Sequence, residues 1–294
     1  MRQTRRMALK IATIGCWLML IGAMLCSCSS DDDTATQEDS NGRRLRQLTI
    51  ANATMMTRAT IDPTSLSAAW QTTDKPVYVN LSLLPGEVRY GNLTPTAAGV
   101  TTTLTGNVYC GNGDDIAVIF PAVTPEKPAG DAAYFTINLS GQKGTLEDIG
   151  AHYHYVYGVA SGITVNGNTA SGTIDKMKSL LSLCKFNFTH DGSPVNVASV
   201  QIGWGETGAV GYPKTGTALL AAPEGVHAKS DAPDGPLTIT LDTPTEDGVY
   251  VALFPCDDRL TFHFTVSDGT NSYTATKTAK MLEGKYYEVD IALE

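Results

Sequence analysis

The chain has 294 residues and a formal charge of −9, with only 17% of its residues charged. That length holds one large domain or two ordinary ones, and it can bury a core without metal or disulfide staples. The surface must be largely uncharged polar, and no basic stripe survives beyond the N-terminus, which argues against nucleic acid as a partner.

At the N-terminus, Arg2, Arg5, Arg6 and Lys10 precede an uncharged run from Ile11 to Leu25. As a helix that run reaches roughly 22 Å, against about 30 Å of bilayer hydrocarbon. It suits a secretory signal better than a spanning helix. Leu25-Cys26-Ser27-Cys28 then resembles the bacterial lipobox, which ends in an obligatory cysteine. Cys28 is the expected lipid-attachment residue, because choosing Cys26 would leave bulky Leu25 at the position that should be small. A thiol is needed for the diacylglycerol thioether, and two or three acyl chains anchor a protein far more firmly than one. Residues 1–27 are therefore expected to be a lipoprotein signal peptide. Its removal takes four positive charges and no negative one, moving the formal charge from −9 to −13. Lipid, and not electrostatic attraction, must then hold the protein to a membrane.

Ser29, Ser30, Asp31, Asp32 and Asp33 follow the acylated position directly. Residues 28–45 carry almost nothing apolar and are expected to form a flexible tether. With Cys16 and Cys26 discarded, only Cys110, Cys184 and Cys256 remain beyond Cys28. Three scattered cysteines are not a disulfide framework. At most one bridge is possible, and burial as small hydrophobes is the expectation.

From Leu48 onward, period-two alternation predicts strands to the C-terminus. "PVYVNLSL" puts Val77, Val79, Leu81 and Leu83 on one face, and "IAVIF" is a short buried run ending at Pro121. "AYFTINL" aligns Phe135, Ile137 and Leu139. "SLLSLCKFNFTH" turns Leu180, Cys184, Phe186 and Phe188 inward, and "RLTFHFTV" turns Leu260, Phe262, Phe264 and Val266 inward. "KYYEVDIALE" aligns Tyr287, Val289, Ile291 and Leu293. Asn112-Gly113, Asn166-Gly167, Asp191-Gly192, Asp247-Gly248 and Asp268-Gly269 supply the positive-φ pairs that tight hairpins need. "GTLEDIGA" and "SGTIDKMKSLL" could each hold a turn or two of helix. The fold class is all-β, of antiparallel sandwiches. Val165 to Thr173 is the least hydrophobic stretch near the middle, which places a domain boundary there and gives domains 46–172 and 173–294.

Chemistry-bearing patterns are sparse. His152 and His154 flank Tyr153 on an expected strand, where both imidazoles would share a face, but no third metal ligand follows at a suitable distance. "YCGNGDD" lacks the lysine and the strand-to-helix context of a phosphate loop and reads as a hairpin turn. Asp114-Asp115 and Asp257-Asp258 are expected in solvated turns. No Gly-x-Ser-x-Gly, His-Glu-x-x-His or, beyond residue 28, Cys-x-x-Cys pattern occurs. Neither an enzyme, a metal nor a cofactor is expected.

Several stretches resemble the fimbrillin family, the type V pilins of Gram-negative gut and oral anaerobes. They are the lipobox and tether, a first strand ending in Thr-Arg-Ala, "SLSAAWQTTDKPVYV" (Ser65–Val79), "GQKGTLEDIGAHYHY" (Gly141–Tyr155), "CKFNFTHDGSPVNVASVQI" (Cys184–Ile202), and Gly284-Lys285-Tyr286-Tyr287 before the last strand. The resemblance implies two tandem transthyretin-like antiparallel β-sandwich domains and assembly in place of catalysis. It implies a lipoprotein of the cell outer membrane, exposed at the surface, whose partners are other pilin subunits. In that family an arginine-specific protease cuts just past the first strand, and a strand from a neighbour fills the vacated groove. Arg58-Ala59 matches the cleavage position and "QLTIANAT" the removable strand. Ser29 to Asp33 resembles the family's surface-export signal. The strand that stops at Glu294 reads as intrinsic to the second domain, which leaves stalk, anchor and tip roles open. The competing reading is a surface lipoprotein that binds glycan or a host ligand without polymerising, with Trp70, Trp204 or tyrosines as a stacking platform.

Overall fold

Alternating Val, Ile, Thr and aromatic residues favour the pleated backbone, and most of the described residues lie in strands. The computed structural model describes residues 38–55, 69–83, 87–126, 133–205, 211–220 and 228–294. Cys28, the Ser29–Asp33 run and Arg58-Ala59 lie outside the described residues.

In chain order, the strands begin with β1 (Arg44–Thr54), β2 (Val77–Asn80), β3 (Tyr90–Asn92) and β4 (Thr94–Pro95). Next come β5 (Thr101–Cys110), β6 (Ile116–Phe120) and β7 (Ala133–Asn138). A short helix, α1 (Leu146–Asp148), runs on as a single π turn (Ile149–Tyr153). The hydroxyl of Thr145 caps α1 by accepting the Asp148 N–H at 3.1 Å. Then follow β8 (Val156–Ala160), β9 (Thr164–Asn166), β10 (Thr169–Thr173) and β11 (Lys178–Ser179). The remainder contains β12 (Ser182–His190), β13 (Ser193–Pro194), β14 (Val197–Trp204), β15 (Thr215–Leu220) and β16 (Ala228–Ser230). It ends with β17 (Leu237–Thr245), β18 (Val249–Leu253), β19 (Cys256–Ser267), β20 (Ser272–Met281) and β21 (Tyr286–Leu293).

These strands form five sheets. The first has the order β4-β5-β1-β10-β9, the second β11-β8-β6-β2-β3 and the third β16-β15-β7. In the fourth, β12 pairs with β13, β18 and β21; the fifth runs β17-β14-β19-β20. The first and second sheets close on one core, where Leu48, Ile50, Leu104 and Val108 meet Tyr78, Ile116, Val118 and Phe120. The other face of the second sheet, carrying Val77, Val79, Ala117 and Ile119, belongs to a larger core. That core also takes in Phe135 and Ile137 of the third sheet, Phe186 and Phe188 of the fourth, and Phe262 and Phe264 of the fifth. A strand covered on both faces has no polar side to show, which is why "IAVIF" reads as an unbroken apolar run. Each such side chain contributes about 1.5–3 kcal/mol on full burial.

The described residues belong to one compact unit. The stretch chosen from its low hydrophobicity as a boundary, Val165–Thr173, is folded as the β9–β10 hairpin. Two pairings cross residue 173: β8 with β11 and β7 with β15. A parallel pair recurs in each half. β1 lies parallel to β10, and β12 lies parallel to β21.

Four local expectations are corrected. "SGTIDKMKSLL" forms no helix; it holds the end of β10, a parallel bridge from Met177 to Met55, and β11. Three of the five Gly-containing pairs close hairpins, at Asn166-Gly167, Asp191-Gly192 and Asp268-Gly269. Asn112-Gly113 and Asp247-Gly248 instead carry the chain from one sheet to another, since β5 does not pair with β6, nor β17 with β18. The positive φ is needed in both settings, so dipeptide chemistry alone cannot tell them apart. His152 and His154 do not share a strand face: His152 lies in the π turn, exposed, with Nδ1 3.0 Å from Asp148, and His154 is buried. Finally, the last residues of the expected tether are folded: residues 39–43 form a turn and β1 begins at Arg44.

Candidate strand-exchange site

β1 contains the expected removable strand, Gln47–Thr54, and is an inner strand with partners on both edges. It runs antiparallel to β5, from Arg44 opposite Cys110 to Thr54 opposite Thr101. On its other edge it runs parallel to β10, from Gln47 beside Thr169 to Ala51 beside Thr173. Leu48 and Ile50 point into the core and are fully buried, while Leu45, Gln47 and Thr49 face solvent. Asn52, at φ 59°, makes a bulge that shifts the β5 register by one residue. The shift returns Ala53 and Met55 to the core side.

The downstream end of β1 is closed by main-chain and indole contacts. Trp70, with no exposed surface, donates its Nε1–H to the Ala53 carbonyl at 2.8 Å. Met55 N–H donates to Val100 O at 2.9 Å, and Met177 N–H to Thr54 O at 2.8 Å. Residues 56–68, which contain Arg58, follow directly and lie outside the described residues.

The upstream end is held by charge. Asp39 Oδ1 accepts the N–H groups of Asn41 and Arg43, each at 2.8 Å, folding residues 39–43 into a turn. Arg43 Nε then donates to both oxygens of Asp114, at 3.0 and 2.9 Å, and Nη2 donates to Oδ1 at 2.9 Å and to Ser82 O at 2.9 Å. Asp114 also accepts Asn80 Nδ2–H at 2.8 Å and Gly111 N–H at 2.9 Å. Burial alone would raise this carboxyl; the hydrogen bonds from Arg43, Asn80 and Gly111 outweigh it and hold the pKa below the usual carboxylate value. Arg46 is buried as well. Its guanidinium donates to Glu38 at 2.7 Å, Gly42 O at 3.1 Å, Gly167 O at 3.2 Å and the Cys110 carbonyl.

The expectation of solvated turns at Asp114 and of a hairpin at "YCGNGDD" is thus overturned. That turn crosses between sheets and buries Asp114 against Arg43. One sign of Arg46 was present in the sequence, because it stands in phase with Leu48 and Ile50. Arg43 and Asp114 are 71 residues apart and had no such sign.

Other expected positions fall elsewhere. Cys110, Cys184 and Cys256 are buried and form no disulfide with one another, and burial pushes the Cys110 thiol up to about 11. Among the described residues, no group of three or more His, Cys, Asp or Glu side chains is placed to hold a metal. Trp70 is sealed in the core, and Trp204 packs against Tyr212 and Phe262 with ring centroids 4.7 and 6.1 Å away. β21 pairs with β12 over eight positions, and Glu294 exchanges main-chain hydrogen bonds with Thr274.

Neither a family model nor a curated protein matches the sequence. Solved structures do match in fold. A candidate cell adhesion protein from Bacteroides ovatus superposes with a TM-score of 0.52 at 17% identity, covering 86% of this chain and 96% of its own. One from Bacteroides uniformis gives a TM-score of 0.51 at 14% identity, covering 87% and 96%. The chain therefore shares its fold over nearly the full length of both proteins.

Proposed function

We propose that this chain is a surface adhesion protein of the fimbrillin type, anchored through Cys28 in the cell outer membrane. In this reading β1 gives way to a strand from a neighbouring subunit. One observation carries it: β1 is an inner strand, paired on both edges, that lies in the sequence between Cys28 and Arg58. Withdrawing it would strip partners from the N–H and C=O groups of β5 and β10 and open the core at Leu104, Val108 and Ala170. Unpaired buried backbone is costly. An added strand with apolar residues at alternate positions would restore both the hydrogen bonds and the packing.

The fold shared with two candidate cell adhesion proteins supports this reading. So does the Ser29 to Asp33 run of the sequence, read as an address to the outer face. The glycan-binding alternative has less support, since Trp70 is sealed in the core and Trp204 is packed against two aromatic neighbours.

Treating the mature protein with an arginine-specific protease is expected to yield a stable product beginning at Ala59, followed by ladder-forming oligomers on denaturing gels. An intact chain, general degradation, or a clean product that stays monomeric would sink the proposal.

A further inference from the structure

We infer that the cluster at the head of β1, the Arg43–Asp114 ion pair with the Arg46 bonds to the Cys110 and Gly167 carbonyls, is a latch. It keeps the strand seated after the chain is cut downstream, so that the body leaves its anchor only when another strand displaces β1. The inference rests on the strand-exchange reading above and concerns its regulation.

A cut within residues 56–68 breaks the covalent link at one end of β1 only. The cluster lies at the opposite end: its two arginines stay joined to β1 and to the anchor, while Asp114, Ser82, Cys110 and Gly167 stay with the body. Arg43 offers a bidentate grip on a carboxylate whose side chain is only 5% exposed. Charge-assisted bonds of this geometry are the strong ones. Arg46, with its side chain 3% exposed, ties the strand to the Asp39 turn through Glu38 and Gly42, to β5 through the Cys110 carbonyl, and to the β9–β10 turn through Gly167. An incoming strand can therefore replace β1 pair by pair from Thr54 upstream, and it meets the charged cluster last.

The cluster also guards its own attachment. A protease that reads arginine must take the guanidinium into a pocket, and those of Arg43 and Arg46 are already occupied by Asp114, Glu38 and carbonyl oxygens. Cutting at either would separate the latch from the strand it holds.

The test uses the full mature chain with Cys28→Ser, a fluorescent label on the N-terminal amine, and a sequence-specific protease site replacing residues 57–63. After complete cutting, size-exclusion chromatography and fluorescence anisotropy follow the labelled fragment. It is expected to remain with the body and to leave when a synthetic peptide of residues 44–55 is added in excess. Asp114→Asn and Arg43→Gln should speed that release at least tenfold. Should either variant fail to fold, Arg43→Lys carries the test, because it keeps the charge facing Asp114 and removes only the two-pronged grip; a twofold or greater acceleration is expected there. Release at the wild-type rate in folded variants overturns the latch while leaving strand exchange standing. A peptide that hastens release in no variant, wild type included, overturns the strand-exchange reading itself.

Discussion

Arg46 occupies a position where alternation along β1 calls for a hydrophobe, and it can do so because four of its five N–H donors find acceptors around it. Arg43 and Asp114 follow the same logic. A buried pair of this kind adds little over an apolar pair of equal volume, yet breaking it leaves one charge stranded. Asp114→Asn or Arg43→Met is therefore expected to cost about 3–5 kcal/mol, read from urea unfolding midpoints at pH 7. The pH dependence has a definite sign. The Asp114 carboxyl is held low in the folded state, so its stabilisation is fully present above the unfolded value of about 3.9 and is lost as pH falls through the lower folded value. The gap between wild type and Asp114→Asn should therefore close below about pH 4. A gap that persists there, or is absent at pH 7, contradicts the assignment. The inward phase of Arg46 could be read from neighbouring letters. Asp114 could not, because its partner arrives from the turn before β1, 71 residues away, and its own turn looks like any other Gly-Asp turn.

At the level of the element, β1 was legible as a strand and not as an irregular one. Its bulge depends on Asn52 at φ 59°, a conformation that asparagine tolerates and β-branched residues do not. Asn52→Gly should be close to neutral, and Asn52→Val should cost about 1–2 kcal/mol in thermal unfolding. Equal effects from the two would mean that the backbone there is not constrained. The alternating segments β7, β19 and β21 were readable because one face of each is more buried than the other. Which strand lies beside which was not readable. Asn112-Gly113 and Asp247-Gly248 carry hairpin chemistry but serve sheet-to-sheet crossings, since the choice of partner is made by distant residues packing on the opposite face. The Ile174–Leu181 region failed as a helix for a related reason: Met177 is captured by the bridge to Met55, and β11 by β8.

For the whole molecule, the all-β class followed from composition and period, while the sharing of a core between halves did not. The third sheet joins β7 to β15, and the larger core gathers residues from Val77 to Leu293. Residues 38–294 are therefore expected to unfold in one calorimetric transition. The fragment 173–294, deprived of β7, should give a broad, low transition; a sharp one near that of the parent would show an independent domain. Attachment is testable at the same scale. Cys28→Ala should abolish acylation and membrane retention, measured by metabolic fatty-acid labelling and fractionation, whereas Cys26→Ala should leave both intact. Beside β1, meanwhile, one neighbour runs with it and the other against it. A strand inserted backwards would find both relations reversed, with its hydrogen bonds out of step on each side. The slot thus accepts one direction only. Copies joined through it would all point the same way, and any thread they built would have two unlike ends, with growth at one of them and a fixed foot at the other.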